Sequence, residues 1–226
     1  MRHAAHDGRR PPYVRDSIAL GAAVGLVGVT FGVLAVAAGL SGLQAVAMSL
    51  LVFTGASQFA AASVVASGGS AASAVGSALL LAARNGIYGT RLAPLLGGSR
   101  PRRLVAAQLV IDESTGMAMA QESDTDARGA FWATGVAIYV FWNLGTIVGV
   151  VAGNAVGEPS EYGLDAAFPA SFVVLIAPHL RSRPGRVAAL LGAAIAVVAV
   201  PLTPAGTPLL LAALAVGPAL VIGRRP

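Results

Sequence analysis

Residues Ile18–Leu40 read IALGAAVGLVGVTFGVLAVAAGL, 23 positions without a charge. As a helix rising 1.5 Å per residue, the run is about 35 Å long and crosses a hydrocarbon core of roughly 30 Å with some tilt. It is too long for the 7–15-residue core of a signal peptide, so it predicts a retained first membrane helix. Two more uncharged runs of the same quality follow, Leu43–Ala66 and Ala130–Ala152. Together they set the fold class as all-α, a polytopic membrane helix bundle.

The remaining chain agrees. Of 226 residues, 56% are hydrophobic and only 11% are charged, against about a quarter in soluble domains. So few charges cannot wet the surface of a globule this size, and lipid must cover much of it. All fifteen basic residues are Arg, most of them in short clusters beside apolar runs: Arg9, Arg10 and Arg15; Arg100, Arg102 and Arg103; Arg181, Arg183 and Arg186; Arg224 and Arg225. Such placement fits topology signals and contacts with anionic lipid, not the spread basic face of a nucleic-acid binder. The absence of Cys excludes disulfides and thiolate metal sites. No P-loop, cofactor motif or metal-ligand spacing is present.

Five other segments are less clean. Ala71–Leu96 contains Arg84 and Arg91, and Leu104–Ala120 contains Asp112 and Glu113. Ala166–Leu180, Val187–Leu202 and Thr207–Ile222 are short, and the last two contain or touch Pro201, Pro204, Pro208 and Pro218. Backbone polar groups in lipid must be satisfied internally, so these segments are read as helices, some broken. The expectation is about eight transmembrane or partly re-entrant helices, with six as the floor. Residues 1–16 are read as a disordered cytoplasmic tail and 17–226 as one transmembrane domain.

Charge then orients the chain. The basic N-terminus, the Arg181–Arg186 loop and the Arg224–Arg225 tail predict that both termini are cytoplasmic, while the loop with Glu158, Glu161 and Asp165 fits the outside. The Arg100–Arg103 cluster conflicts, because a simple count places it outside; a re-entrant segment at 71–96 or at 104–120 would resolve this. A weak internal echo links Gly42-Leu43 and Ser49-Leu-Leu-Val-Phe with Gly163-Leu164 and Ser171-Phe-Val-Val-Leu, as in transporters that arose by duplication.

Several polar and small residues stand out against this background. Gly21, Gly25, Gly28 and Gly32 share one helix face, and Gly145, Gly149, Gly153 and Gly157 repeat every fourth residue. Such ladders let helices approach closely, within the chain or at a seam with a second subunit. Thr54, Ser57 and Gln58 fall at i, i+3 and i+4 and, on a continuous helix, share a face. They read either as one interhelical hydrogen bond or as the polar wall of a substrate path. Arg84, Asp112 and Glu113 carry the most information, because charges within apolar segments are costly and mark pathways. Adjacent acids on a helix point about 100° apart, so only one readily faces Arg84, and the other is left to titrate or to bind a cation. A structural ion pair is the plainer alternative.

At these residues the sequence resembles the AzlC-type large subunit of two-component branched-chain amino acid exporters. The likeness runs from about Arg15 to His179 and rests on Phe31-Gly32, Met48-Ser49-Leu-Leu-Val-Phe-Thr-Gly-Ala-Ser-Gln-Phe59, Arg84 with Tyr88, Asp112-Glu113-Ser114, and Gly163-Leu164-Asp165-Ala-Ala-Phe168. It departs at Ala82, where the family tends to have Asn, and at Asn85, often His. The resemblance implies a permease subunit of the inner membrane, not an enzyme. It would export branched-chain amino acids and Met, with a small AzlD-type membrane subunit as partner. A zwitterionic substrate would need donors for its carboxylate, a role open to Ser57, Gln58 and Arg84, and acceptors for its ammonium, open to Asp112 or Glu113. The alternative is a non-transport membrane protein, an assembly factor or an intramembrane protease. Gly-Ala-Ser57 with His179 resembles a rhomboid Ser–His dyad only poorly, since Ser57 is followed by Gln and His179 sits beside Arg181 at a membrane edge.

Overall fold

A computed structural model describes residues 11–155 and 179–223, with positions 170, 173, 176 and 177 between them. All regular structure among the described residues is helical. The helices are α1 (Pro12–Ala37), α2 (Gly42–Val52), α3 (Ala56–Ala66), α4 (Ala71–Leu96), α5 (Arg100–Gln108), α6 (Asp112–Met119), α7 (Asp124–Ala155), α8 (Arg183–Ala199) and α9 (Thr207–Gly223). α9 tightens into a 3₁₀ turn at Ala213–Ala215. α1 and α7 are both long and apolar enough to cross a membrane. α1 already begins at Pro12, inside the stretch read as a tail. Gly157, the acidic loop at 158–165, most of the 166–180 segment and the second copy of the internal echo lie outside the described residues.

α1 and α7 form the frame, and they run parallel. Tyr13 meets Gly129, Gly21 meets Ala137 and Phe141, Gly28 meets Trp142, and Gly153 meets Val33 and Val36. A Cβ at Gly145 or Gly149 would strike the carbonyl oxygens of Gly25 and Val29, and one at Gly32 would strike Thr146 O. Backbones this close need glycine on both sides of the seam. The two ladders read from the sequence therefore pack against each other, and the face carrying Gly145, Gly149 and Gly153 is taken by α1, not offered to a second subunit. Two buried hydroxyl pairs help fix the register: Ser17 Oγ lies 2.7 Å from Thr134 Oγ1, and Ser49 Oγ, on α2, lies 3.0 Å from Thr146 Oγ1.

The segment Leu43–Ala66, read as one span, is two half-length helices. α2 starts beside Val150, passes Thr146 at Ser49, and reaches only Tyr139, halfway along α7. The chain then turns, and α3 leads back to the end it came from, where only four residues separate it from the start of α4. α4, of 26 residues, is about 39 Å long. It ends beside the start of α7, where Arg128 Nε donates to Leu95 O at 3.0 Å.

Segment 104–120 repeats the design from the other end. α5 starts with Arg102 over the Trp132 ring, 5.6 Å from its centroid. It reaches the level of Gly135 and Tyr139, and α6 leads back to the start of α7. Two hairpins thus enter the frame from opposite ends and meet halfway.

α8 and α9 form an antiparallel pair, with Gly192 against Ala212 and Gly223 against Pro184. Their connecting turn rests on the distal α3–α4 end, where Gly206 meets Val64 and Ser73. The start of α8 therefore lies at the same end as the starts of α1 and α7. Arg15, Arg100, Arg102, Arg103, Arg128, Arg181, Arg183 and Arg186 all fall at that end, and Arg91 near it. The described turns at the distal end, 38–41, 67–70 and 200–206, carry no charge. The conflict over the Arg100–Arg103 cluster disappears, because the 43–66 segment as well as the 104–120 segment turns back.

Candidate functional site

Each hairpin tip is a helix break whose backbone groups are satisfied by specific side chains. In the first, Phe53 (φ +29°) and Gly55 (φ +58°) unwind the chain. A positive φ is cheap for Gly and costly for Phe. Phe53 is held there by burial and by edge-on packing against Tyr139, with ring centroids 4.8 Å apart. Gln58 folds back so that its Oε1 accepts from Gly55 N–H at 3.2 Å. The carbonyls left at the end of α2 find donors elsewhere: Tyr139 Oη–H donates to Leu50 O (3.1 Å), and Gln108 Nε2 donates to Leu50 O (3.0 Å) and Leu51 O (3.2 Å). Gln108 is the last residue of α5, so one side chain ties the two tips together.

In the second break, Ser114 Oγ donates to Leu109 O at 2.6 Å and accepts from Ile111 N–H at 3.2 Å. Asp112 and Glu113 occupy the first turn of α6, where carboxylates favour a helix start.

A cavity of about 120 Å³ lies where the tips meet. The first hairpin contributes Thr54, Gly55 and Ala56, the second Ile111, Asp112 and Glu113, and α4 contributes Arg84; Val24, Val27, Ile138 and Trp142 of the frame close the apolar side. Arg84 Nη2 pairs with Asp112 Oδ2 at 2.9 Å. Glu113 has no ion-pair partner among the described residues. The Trp142 ring stacks on Phe31 (6.0 Å between centroids, 21° between planes) and takes Phe59 edge-on.

The sequence-predicted residues divide here. Arg84, Asp112 and Glu113 converge on the cavity. Ser57 and Gln58 follow the lining residue Ala56 in the first turn of α3 and are 1% and 0% exposed, without lining the cavity themselves. Thr54 does not share a helical face with them, because it lies in the break. Ser57 and His179 are not brought together: Ser57 is at a tip, halfway along the frame, and His179 precedes α8 at the Arg-rich end. Trp142, Tyr139 and Gln108 are additions that the sequence reading misses. Each acts through a partner more than thirty residues away, and none carries a local motif.

The model of the family described as AzlC protein matches residues 19–156, more than half the chain and the whole of both hairpins. The chain belongs to the AzlC family. Curated relatives align with about three quarters of the chain. One from Helicobacter pylori (strain ATCC 700392 / 26695) is 27% identical over 175 residues, covering 76% of each chain. One from Archaeoglobus fulgidus is 33% identical over 174 residues, covering 75% of each. Both are named only as uncharacterized membrane proteins. No solved structure is a significant match. The AzlC protein is thus a helical membrane protein of a family associated with transport subunits.

Proposed function

We propose that this AzlC protein is the permease subunit of a secondary transporter that exports branched-chain amino acids, with Met as a further candidate, across the cytoplasmic membrane in exchange for protons. The observation that carries this reading is the placement of the Arg84–Asp112 pair, and of Glu113 without an ion-pair partner among the described residues, between two half-helix tips, midway through the bundle. Substrate sites of secondary transporters sit at such breaks near mid-membrane. The Arg-rich end is cytoplasmic by the positive-inside rule, which puts both termini inside. Of the eight segments read from the sequence, two are then re-entrant. A small AzlD-type subunit completes the exporter, docking away from the glycine seam that α1 already fills.

Coupling in this reading comes from competition. Asp112 is held by Arg84, so Glu113 is the carboxylate that receives either the substrate ammonium or a proton. One site that holds one or the other, but not both, exchanges them across the membrane.

The test is labelled leucine movement in proteoliposomes containing the protein with its small subunit. Wild type should export leucine when driven by an inward proton gradient. Glu113→Gln, which removes both the proton site and the ammonium acceptor, should lose gradient-driven export by about a hundredfold, equivalent to about 2.7 kcal/mol, and weaken leucine–leucine exchange as well. Normal gradient-driven export by both Glu113→Gln and Asp112→Asn removes the proton role; no leucine movement by wild type removes the substrate reading.

A further inference from the structure

The two tips share a backbone design and differ in charge. α6 opens with two acids that cover the positive end of its own dipole. α3 has no acid in its first turn. The leading amide of Gly55 is taken by Gln58 Oε1, and that of Gln58 by Gly55 O. Those of Ala56 and Ser57 meet no acceptor among the described residues.

Two side chains at the same tip repeat the pattern. Ser57 Oγ and Gln58 Nε2 have no partners among the described residues, on residues 1% and 0% exposed. Because Gln58 Oε1 is held at Gly55 N–H, the planar amide brings Nε2 to the tip as well. Buried donors are rarely left unsatisfied in native structures, and each such group calls for an explanation. Arg84 Nη2 is engaged by Asp112, which neutralises its charge, although its Nε is left without a partner among the described residues.

We propose that the α3 tip is an anion subsite that takes the carboxylate of the transported ligand on the Ala56 and Ser57 amides and the Gln58 side chain, while its cationic group lies against Glu113 at the α6 tip. This rests on the reading of the cavity as the substrate site and fixes the orientation of a dipolar ligand within it. Arg84 then stays with Asp112 and takes no part in holding the carboxylate.

The chain has no Cys, so single introduced thiols report the local potential without background. Thr54→Cys and Ile111→Cys place one at each tip. Each is reacted with an anionic sulfonatoethyl and a cationic trimethylammonioethyl methanethiosulfonate, with and without leucine. The anionic-to-cationic rate ratio should be about tenfold or more higher at position 54 than at position 111, and leucine should slow both reactions. Equal ratios overturn the proposal whatever the substrate is. The expected ratios without protection by leucine uphold the polarity of the tips and overturn the branched-chain reading instead.

A second measurement needs no thiol. Gln58→Glu keeps an acceptor for Gly55 N–H and adds a negative charge. It should weaken leucine binding about tenfold or more and leave leucinamide, which lacks the carboxylate, within about twofold. Equal weakening of both ligands contradicts the subsite.

Discussion

The hairpins α2–α3 and α5–α6 solve one problem in two ways. Both dip halfway into the α1–α7 frame, and both must satisfy the backbone groups freed where the helix breaks. The first does so with uncharged groups, using Gln58 on its own chain segment and donors from Tyr139 and Gln108 on others. The second closes itself with Ser114 and carries Asp112 and Glu113 at its tip. A tip without charge is the cheaper one to keep in an apolar interior. The second retains two acids there, although a charged side chain at mid-bilayer costs roughly 2.5–3.5 kcal/mol even on the lenient insertion scale. The difference points to chemistry concentrated at α6 and to shape and hydrogen-bond donors supplied by α3.

The frame is where both hairpins are most easily broken at once. Gly149→Leu would drive a side chain into Val29 O and the Gly32 backbone. Neither is the end of a flexible side chain, so the seam must open. Overpacking costs typically 1–3 kcal/mol where a core can adjust, and more is expected at this rigid contact. Purified protein should show a large fall in yield and melting temperature. Normal yield and melting temperature would mean that α1 and α7 do not touch there.

A smaller effect separates the hairpins. Asp112→Ala leaves the Arg84 guanidinium without its partner, which costs more than removing both charges. The single change should lower membrane yield, and adding Arg84→Ala should restore it. No equivalent rescue exists at the uncharged first tip. If the double variant is no better than the single one, the pair is not an independent structural unit.

How much of this was legible varies by region, for physical reasons. α1 and α7 are plain in the sequence because the uncharged runs Ile18–Leu40 and Ala130–Ala152 are each long enough to span a bilayer and fall almost wholly within one unbroken helix. The structure extends the Ala130–Ala152 run to Asp124 because Asp124 and Asp126 favour a helix start. The break at Phe53–Gly55 makes no dip in apolarity, and it is held open by Tyr139 and Gln108, so Leu43–Ala66 reads as one span. The second break had a local sign: Asp112-Glu113 followed by Ser114 is the composition of a helix start, although the pair reads more naturally as charges within a span. Cost alone matched Arg84 with one of the two adjacent acids without choosing between them, whereas the capping role of Gln58 was not legible, since it depends on Gly55 being unwound.

The most direct test of the central claim asks which side each hairpin comes from. Ser67→Cys lies in the turn after α3 and Ser99→Cys in the turn before α5, each as the single thiol in the chain. In cells and inverted vesicles, a membrane-impermeant maleimide should label position 67 from the outside only and position 99 from the cytoplasm only. If the segment 43–66 were a simple crossing with the N-terminus still inside, both results would reverse. Position 67 would then label from the cytoplasm and position 99 from outside, contradicting the opposed hairpins.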